Sequence, residues 1–167
     1  MIKKTTDGGK TWTRIKQQHL PKIAANESAF AASGNTLIVG QQGKAWFTTG
    51  GFNASVYRSI DHGETWHRDS VPLHQTSQTS GGYALALNSK QQLFVLGGDY
   101  KKRGGSYNNI ATKIDKLWTT PASPNQGLRT AMACINHECL NTGKLFSDIS
   151  YDHGSSWQSF SDHGFLP

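Results

Sequence analysis

The sequence lacks most of the features that would mark a catalytic or membrane protein. It has no run of about 18 apolar residues, which excludes a membrane-spanning helix. No helix-length amphipathic stretch stands out, so a helical architecture is not expected. Cysteine occurs only twice, at Cys134 and Cys139. Cys134, His137 and Cys139 lack a fourth ligand and a recognised spacing, so no metal site is expected. Acids number 11 against 17 Lys and Arg, which leaves few carboxylates for acid–base work. No Gly-rich phosphate loop follows a strand and opens a helix, and there is no dinucleotide fingerprint. No cofactor is therefore expected. Met1-Ile2-Lys3-Lys4 leads straight into a patterned segment, so no export signal is read there.

What is present points to β structure. There are 18 Gly, with many Ser, Thr and Asn separating short apolar or β-branched runs. The net charge of +6 is spread along the chain. Lys3, Lys4, Lys10, Arg14, Lys16 and Lys22 enrich the start, and Lys101-Lys102-Arg103 is the tight cluster. No recognised nucleic-acid module accompanies the charge, so nucleic acid is not an expected partner.

One pattern recurs: Ser/Thr-x-Asp-x-Gly-x-Thr-Trp. It fits Thr5, Asp7, Gly9, Thr11 and Trp12, and again Ser59, Asp61, Gly63, Thr65 and Trp66. It fits Ser150, Asp152, Gly154, Ser156 and Trp157 with Ser in place of the last Thr. A worn copy lies around Asp115 and Trp118. Each residue type has a local task. The Asp accepts hydrogen bonds from backbone N–H groups further on and pins a turn. The Gly takes a positive φ. The Thr opens a strand, and the Trp buries a flat ring beneath the turn. His62 and His153 stand where Gly8 stands in the first copy, which marks them as turn residues. Asp7, Asp61 and Asp115 are spaced evenly, 54 residues apart, and Asp152 follows 37 residues later. Repeats of this period are stacked supersecondary units such as propeller blades.

These boxes resemble the Asp-box of sialidases and other box-bearing β-propellers, where the box joins the third and fourth strands of a blade and its Asp is structural. The order of segments is closer to one family. Glu27-Ser28-Ala29-Phe30-Ala31-Ala32-Ser33-Gly34, Ala45-Trp46-Phe47-Thr48-Thr49-Gly50-Gly51, Val56-Tyr57-Arg58-Ser59-Ile60-Asp61 and Gly97-Gly98-Asp99-Tyr100 resemble bacterial relatives of the photosystem II stability/assembly factor. The resemblance covers nearly the whole chain and about half of a full family member. It implies an exported, non-enzymatic binding or assembly scaffold.

The expected fold is all-β: a partial β-propeller of four-stranded antiparallel blades with Asp-box turns, roughly three and a half blades in one domain. The end of a first blade is assigned to 1–20, a second blade to 27–71, a third to 81–121 and a fourth to 127–161. Opening on the third-to-fourth strand turn of one blade and ending where another should begin, the chain reads as part of a longer propeller. Its open edges are prone to self-association.

If the boxes occupy one face, ligands belong on the other, where loops from every blade converge. Asp99, Tyr100, Lys101, Lys102 and Arg103 form the candidate ligand or partner loop there: a carboxylate, an aromatic and three cations on an exposed Gly-bounded turn. A protein or a glycan is the expected ligand. The alternative is a sialidase-like hydrolase fragment. Sialidase chemistry needs an arginine cluster, a Tyr–Glu pair and an acid Asp. The Phe/Tyr-Arg-Ile-Pro signature is absent, and Arg58, although preceded by Tyr57, leads into a box. Four acids are taken by boxes, and no pairing singles out the rest, so no catalytic residue is assigned. Cys134 and Cys139 flank a hairpin connection. They can bridge in an oxidising compartment or stay as two partly buried thiols, the reading preferred from sequence.

Overall fold

The computed structural model describes residues 1–30 and 34–165. Strands β1 (Lys3–Lys4) and β2 (Thr13–Arg14) form a hairpin. After a 3-10 turn at Gln17–His19 comes β3 (Glu27–Ser28). Then follow β4 (Leu37–Val39), β5 (Ala45–Thr48), β6 (Gly50–Gly51), β7 (Ser55–Ser59) and β8 (His67–Ser70). The second half holds β9 (Ser80–Leu87), β10 (Leu93–Asp99), β11 (Ile110–Ile114) and β12 (Leu117–Thr119). It ends with β13 (Ala131–Ile135), β14 (Glu138–Thr142), β15 (Ser147–Ser150) and β16 (Gln158–Ser161).

The sheets have the orders β4-β5-β7-β8, β12-β11-β10-β9 and β13-β14-β15-β16, all antiparallel meanders. The middle one is prolonged past β9 by β6 and β3, giving six strands. These are three complete four-stranded blades, here B, C and D in chain order. They are preceded by the β1–β2 pair, which is the outer half of a blade A. The chain is an all-β partial propeller.

β9 begins at Ser80, one residue ahead of the 81–121 assigned to the third blade, and pairs with residues 97–99 across a bulge after Leu96. Glycine permits this. A Cβ on Gly81, at φ +126°, would sit 2.3 Å from the Gly50 Cα, so only glycine allows β6 and β9 to approach so closely. β3 falls at the start of the 27–71 span assigned to the second blade, and 31–33 lie outside the described residues.

Period-2 alternation builds the core. Leu85, Val95 and Ala111 lie opposite one another on one face of blade C and pack with Val56, Val71 and Leu73 from the blade B side. Ala84, Phe94, Leu96 and Ile110 on the other face pack against Cys139 and Trp157 of blade D. Phe47, Tyr57 and Trp66 of blade B turn toward Ile2 and Ile15 of blade A. Each fully buried apolar side chain contributes about 1.5–3 kcal/mol. A buried polar network joins blades C and D. The Arg129 Nη2 and Nε donate to Asp148 Oδ2 at 2.6 and 3.0 Å, Nε also donates to Asn141 Oδ1, and the Arg129 N–H donates to the Gly97 carbonyl. Burial pushes Asp148 up and Arg129 down from their ordinary ranges, against their mutual attraction.

Cys134 and Cys139 are not free thiols. They are directly paired across β13 and β14, with Cα atoms 4.1 Å apart, and form a disulfide. The hairpin turn is the reason. Asn136 adopts φ 55°, which closes a two-residue connection and sets the two cysteines opposite each other. The bridge also takes both sulfurs away from any metal site with His137.

Candidate functional site

The boxes set which end of the blades is free. All three share one hydrogen-bond scheme. The Ser59 hydroxyl donates to Asp61 Oδ1 at 2.7 Å and accepts from the Gly63 N–H at 2.9 Å. Asp61 accepts from the Thr65 N–H and from its hydroxyl. The Trp66 indole N–H donates to the Gly63 carbonyl at 3.0 Å. The same bonds recur from Thr5 through Asp7, Gly9 and Thr11 to Trp12. They recur again from Ser150 through Asp152, Gly154 and Ser156 to Trp157.

Hydrogen bonds from Thr11, side chain then backbone, and from Thr5 hold the Asp7 carboxyl down at about 2. Thr65 and Ser59 hold Asp61 well below its usual range. Burial pushes Asp152 up, but the Ser156 and Ser150 bonds outweigh it and leave it lowered. The residue between Asp and Gly is left-handed in every box: Gly8 at φ 71°, His62 at 59°, His153 at 63°. The leading Ser/Thr, whose relay role sequence reasoning missed, ties the Asp to the Gly. The worn copy has no such turn. Ile114 and Leu117 pair directly across a two-residue connection.

These turns join the third and fourth strands of their blades. In an antiparallel meander the second-to-third strand loops must therefore lie at the opposite end, beside the connections between blades. The 100–109 loop between β10 and β11 is one of them. Its Asp99 is not an exposed carboxylate, as the sequence suggested; it is buried. Thr79 Oγ1 donates to it at 2.6 Å, Ser77 Oγ at 2.8 Å and the Lys101 N–H at 2.8 Å. Burial raises its pKa, but the Thr79 and Ser77 hydroxyl bonds outweigh that and leave it ionised and lowered. Asp99 is the staple of the loop, not its contact point.

Other bonds complete the loop. The Tyr107 hydroxyl donates to the Lys102 carbonyl at 2.8 Å and accepts from the Asp99 N–H. The Tyr107 ring stacks on His74 at 4.5 Å. Burial lowers the His74 pKa, so the ring is neutral at pH 7. Tyr100 N donates to the Thr79 carbonyl, Leu128 N to the Arg103 carbonyl and Gly127 N to the Gly105 carbonyl. Each neighbouring connection is thus stitched to the loop. Ser77, Thr79, His74 and Tyr107 were not singled out from sequence, because their partners lie about 20 residues away or on another loop.

The outcome is a rigid platform with loose charges. Lys101, Lys102 and Arg103 are exposed, and among the described ion pairs none involves them. Tyr100 is 42 % exposed and meets Tyr83 edge-on. The exposed Lys144 and Leu145 lie on the neighbouring 143–146 loop, and a Cβ on Gly104 would touch Leu145 at 3.5 Å. The arrangement can hold an acidic, partly apolar chain. Among the described residues, no three His, Cys, Asp or Glu side chains gather as metal ligands. Among them too, no helix is long and apolar enough to cross a membrane.

A second buried cluster involves Tyr57, Glu27 and Arg68. Glu27 accepts from the Thr49 hydroxyl, the Ala24 N–H and Arg68 Nε at 2.9 Å. Burial, then the Glu27 charge, pushes the Tyr57 phenol up to about 12. The carboxylate is held by three structural partners, and the phenol resists ionisation.

Comparison with known proteins bears on the boxes. The family model described as BNR/Asp-box repeat matches residues 57–68, the second box and its flanking strands. No curated protein matches. Among solved structures, one described as "YCF48 bound to D1 peptide" is similar at 17% identity and a TM-score of 0.38. The match covers 98% of this chain and 61% of that one, so the chain spans less than two thirds of that structure's length.

Proposed function

We propose that this chain, an Asp-box repeat protein built of consecutive propeller blades, is a non-enzymatic scaffold that binds an acidic peptide segment of a partner protein. The binding face is the end of the blades opposite the boxes. The observation that carries the reading is the 99–109 loop. A buried carboxylate and a tyrosine hydroxyl fix its backbone, while Lys101, Lys102 and Arg103 project without ionic partners among the described residues, beside the exposed ring of Tyr100. A preorganised loop binds with less loss of conformational freedom than a mobile one. The cations steer an acidic segment, and the aromatic ring gives it an apolar contact.

The hydrolase alternative draws no support from the Tyr57–Glu27–Arg68 cluster. A phenol pushed up to about 12 is a poor nucleophile, and Glu27 is already engaged by Thr49, Ala24 and Arg68.

The test is fluorescence anisotropy with a labelled decapeptide alternating Glu and Leu, against its Gln/Leu counterpart. Exposed ion pairs are worth about 0.2–1 kcal/mol each, and 1.4 kcal/mol is about tenfold in Kd. K101S/K102S/R103S should therefore weaken binding of the acidic peptide by about 3- to 100-fold, and added salt should weaken it in the parent. Equal binding of both peptides, or equal binding by parent and variant, would overturn the proposal.

A further inference from the structure

The three box tryptophans make identical hydrogen bonds but differ in what lies over their rings. Trp66 and Trp157 are each 6% exposed, and Trp12 is 58% exposed. Trp66 is covered by Phe47, with ring centroids 5.1 Å apart, and Trp157 meets Phe94 of the preceding blade edge-on at 6.5 Å. Nothing equivalent lies on Trp12 among the described residues. Its blade has only the outer strands β1 and β2, so the inward face of blade B also stays uncovered. Leu37 and Val39 of β4 share the face of Phe47 and Ala45 through direct pairing, yet are 52% and 74% exposed. With Ile2 and Trp12 they line an apolar groove of about 820 Å³, whose charged residues are Lys3, Lys4, Lys44, Asp61 and Glu64. Lys4 pairs with Glu64 and Asp61 is held by Thr65 in its box, so the cations left outside the described ion pairs are Lys3 and Lys44.

The other end of the array has a matching open face. In blade D, Met132, Cys134 and Cys139 point toward blade C. The alternate residues Ala133, Ile135, Leu140 and Ile149 point away, with Ala133 paired to Leu140 and Leu140 to Ile149. Ile135 is 77% exposed and Leu140 38%. Glu138 lies directly opposite Ile135 on that face.

The molecule shows what such faces pack against. At every internal junction, the trailing face of one blade meets the leading face of the next. The two open ends are a leading face beside blade A and a trailing face on blade D, so they are of complementary kind. Their charges also differ in sign, Lys3 and Lys44 against Glu138. We propose that the trailing face of blade D in one copy of this chain packs into the Trp12–Leu37–Val39 groove of a second copy, joining the copies head to tail. Such a junction is heterologous. It closes into a ring where the rotation allows and otherwise continues as a chain of copies. Two faces of one kind would not give this pairing, because the groove ends would bring Lys3 and Lys44 against their own copies.

Sedimentation equilibrium on the full chain tests this, with Val39→Asp blocking the groove and Ile135→Asp blocking the trailing face. Both positions are three-quarters exposed, so the variants should fold, and far-UV circular dichroism checks that they do. The parent should show twice the monomer mass or more, and each variant alone should show the monomer mass. An equimolar mixture of the two variants should recover a dimer, because each retains the face the other has lost. As a second route, Lys3→Glu and Glu138→Lys should each weaken association several-fold, and mixing the two variants should restore it, because the exchanged charges then face each other across one junction. A monomeric parent at tens of micromolar would overturn the proposal and leave these faces to further blades of a longer polypeptide. A parent that associates but a mixture that stays monomeric would overturn the head-to-tail arrangement.

Discussion

Replacing Trp66 and Trp12 separately by alanine tests the account of the boxes at the level of packing. The two residues have the same turn, the same indole bond of 3.0 Å to a glycine carbonyl, and different coverage. A tryptophan buries about 150–250 Å², worth about 4–6 kcal/mol at ~25 cal/mol/Å² as an upper bound. Trp66, at 6% exposed, should lose about 3–5 kcal/mol, in line with large aromatic truncations in cores. Trp12, at 58% exposed, has under half of that area to lose and should cost about 2 kcal/mol. Each indole bond contributes about 1 kcal/mol to either figure. For a chain of this size 1 kcal/mol corresponds to about 2–4 °C. Trp66→Ala should therefore lower the melting temperature by about 10–15 °C and Trp12→Ala by about 4–8 °C. Thermal melts by circular dichroism, with urea titrations to give free energies, read both. Equal losses would refute the reasoning, since the box would then act through its hydrogen bonds alone.

Three further outcomes follow from the structure. Asp7, Asp61 and Asp152 have folded pKa values below their unfolded ones. Their contribution is present above the unfolded carboxylate range near pH ~4 and is lost as pH falls through their folded values, about 2 for Asp7, so melting temperature should fall as pH drops below ~4; D61N should lower it at pH 7 and flatten the drop. Reducing the Cys134–Cys139 bridge, which closes a loop with a sequence separation of 5, should cost about 2 kcal/mol in urea unfolding; an unchanged midpoint with dithiothreitol would show that the bridge is not formed or not stabilising. Arg129→Met leaves Asp148 buried without its partner and should cost about 3–5 kcal/mol at pH 7; the loss should shrink as pH falls and Asp148 becomes protonated, and a pH-independent loss would argue against an ionised pair.

Local chemistry was legible in the sequence, and long-range pairing was not. Each box is written in eight consecutive residues whose bonds all fall within that stretch, so its turn, its Gly and its Trp could be assigned directly. The alternation of Leu85, Val95 and Ala111 with Ala84, Phe94 and Ile110 likewise follows from strand period, and with it the blade order. The role of Asp99 could not be read. Its partners Ser77 and Thr79 come from a polar connection about 20 residues earlier, and a carboxylate between Gly98 and Tyr100 looks exposed until those hydroxyls are placed over it. The Glu27–Arg68 pair spans two strands far apart in sequence, and nothing local marks Glu27 as buried or Arg68 as its half-buried partner. The disulfide depended on hairpin register. Two cysteines five apart face each other only if the turn has two residues, and the left-handed Asn136 decides that.

The binding face is tested most directly by ¹⁵N chemical-shift mapping of the labelled chain titrated with the acidic decapeptide. Perturbed amides should gather at Tyr100–Arg103 and on the adjoining 143–146 loop, with the box turns at 59–66 and 150–157 unmoved. Perturbations centred on the box turns, or spread evenly over the lysine-rich start of the chain, would contradict the assignment of that face.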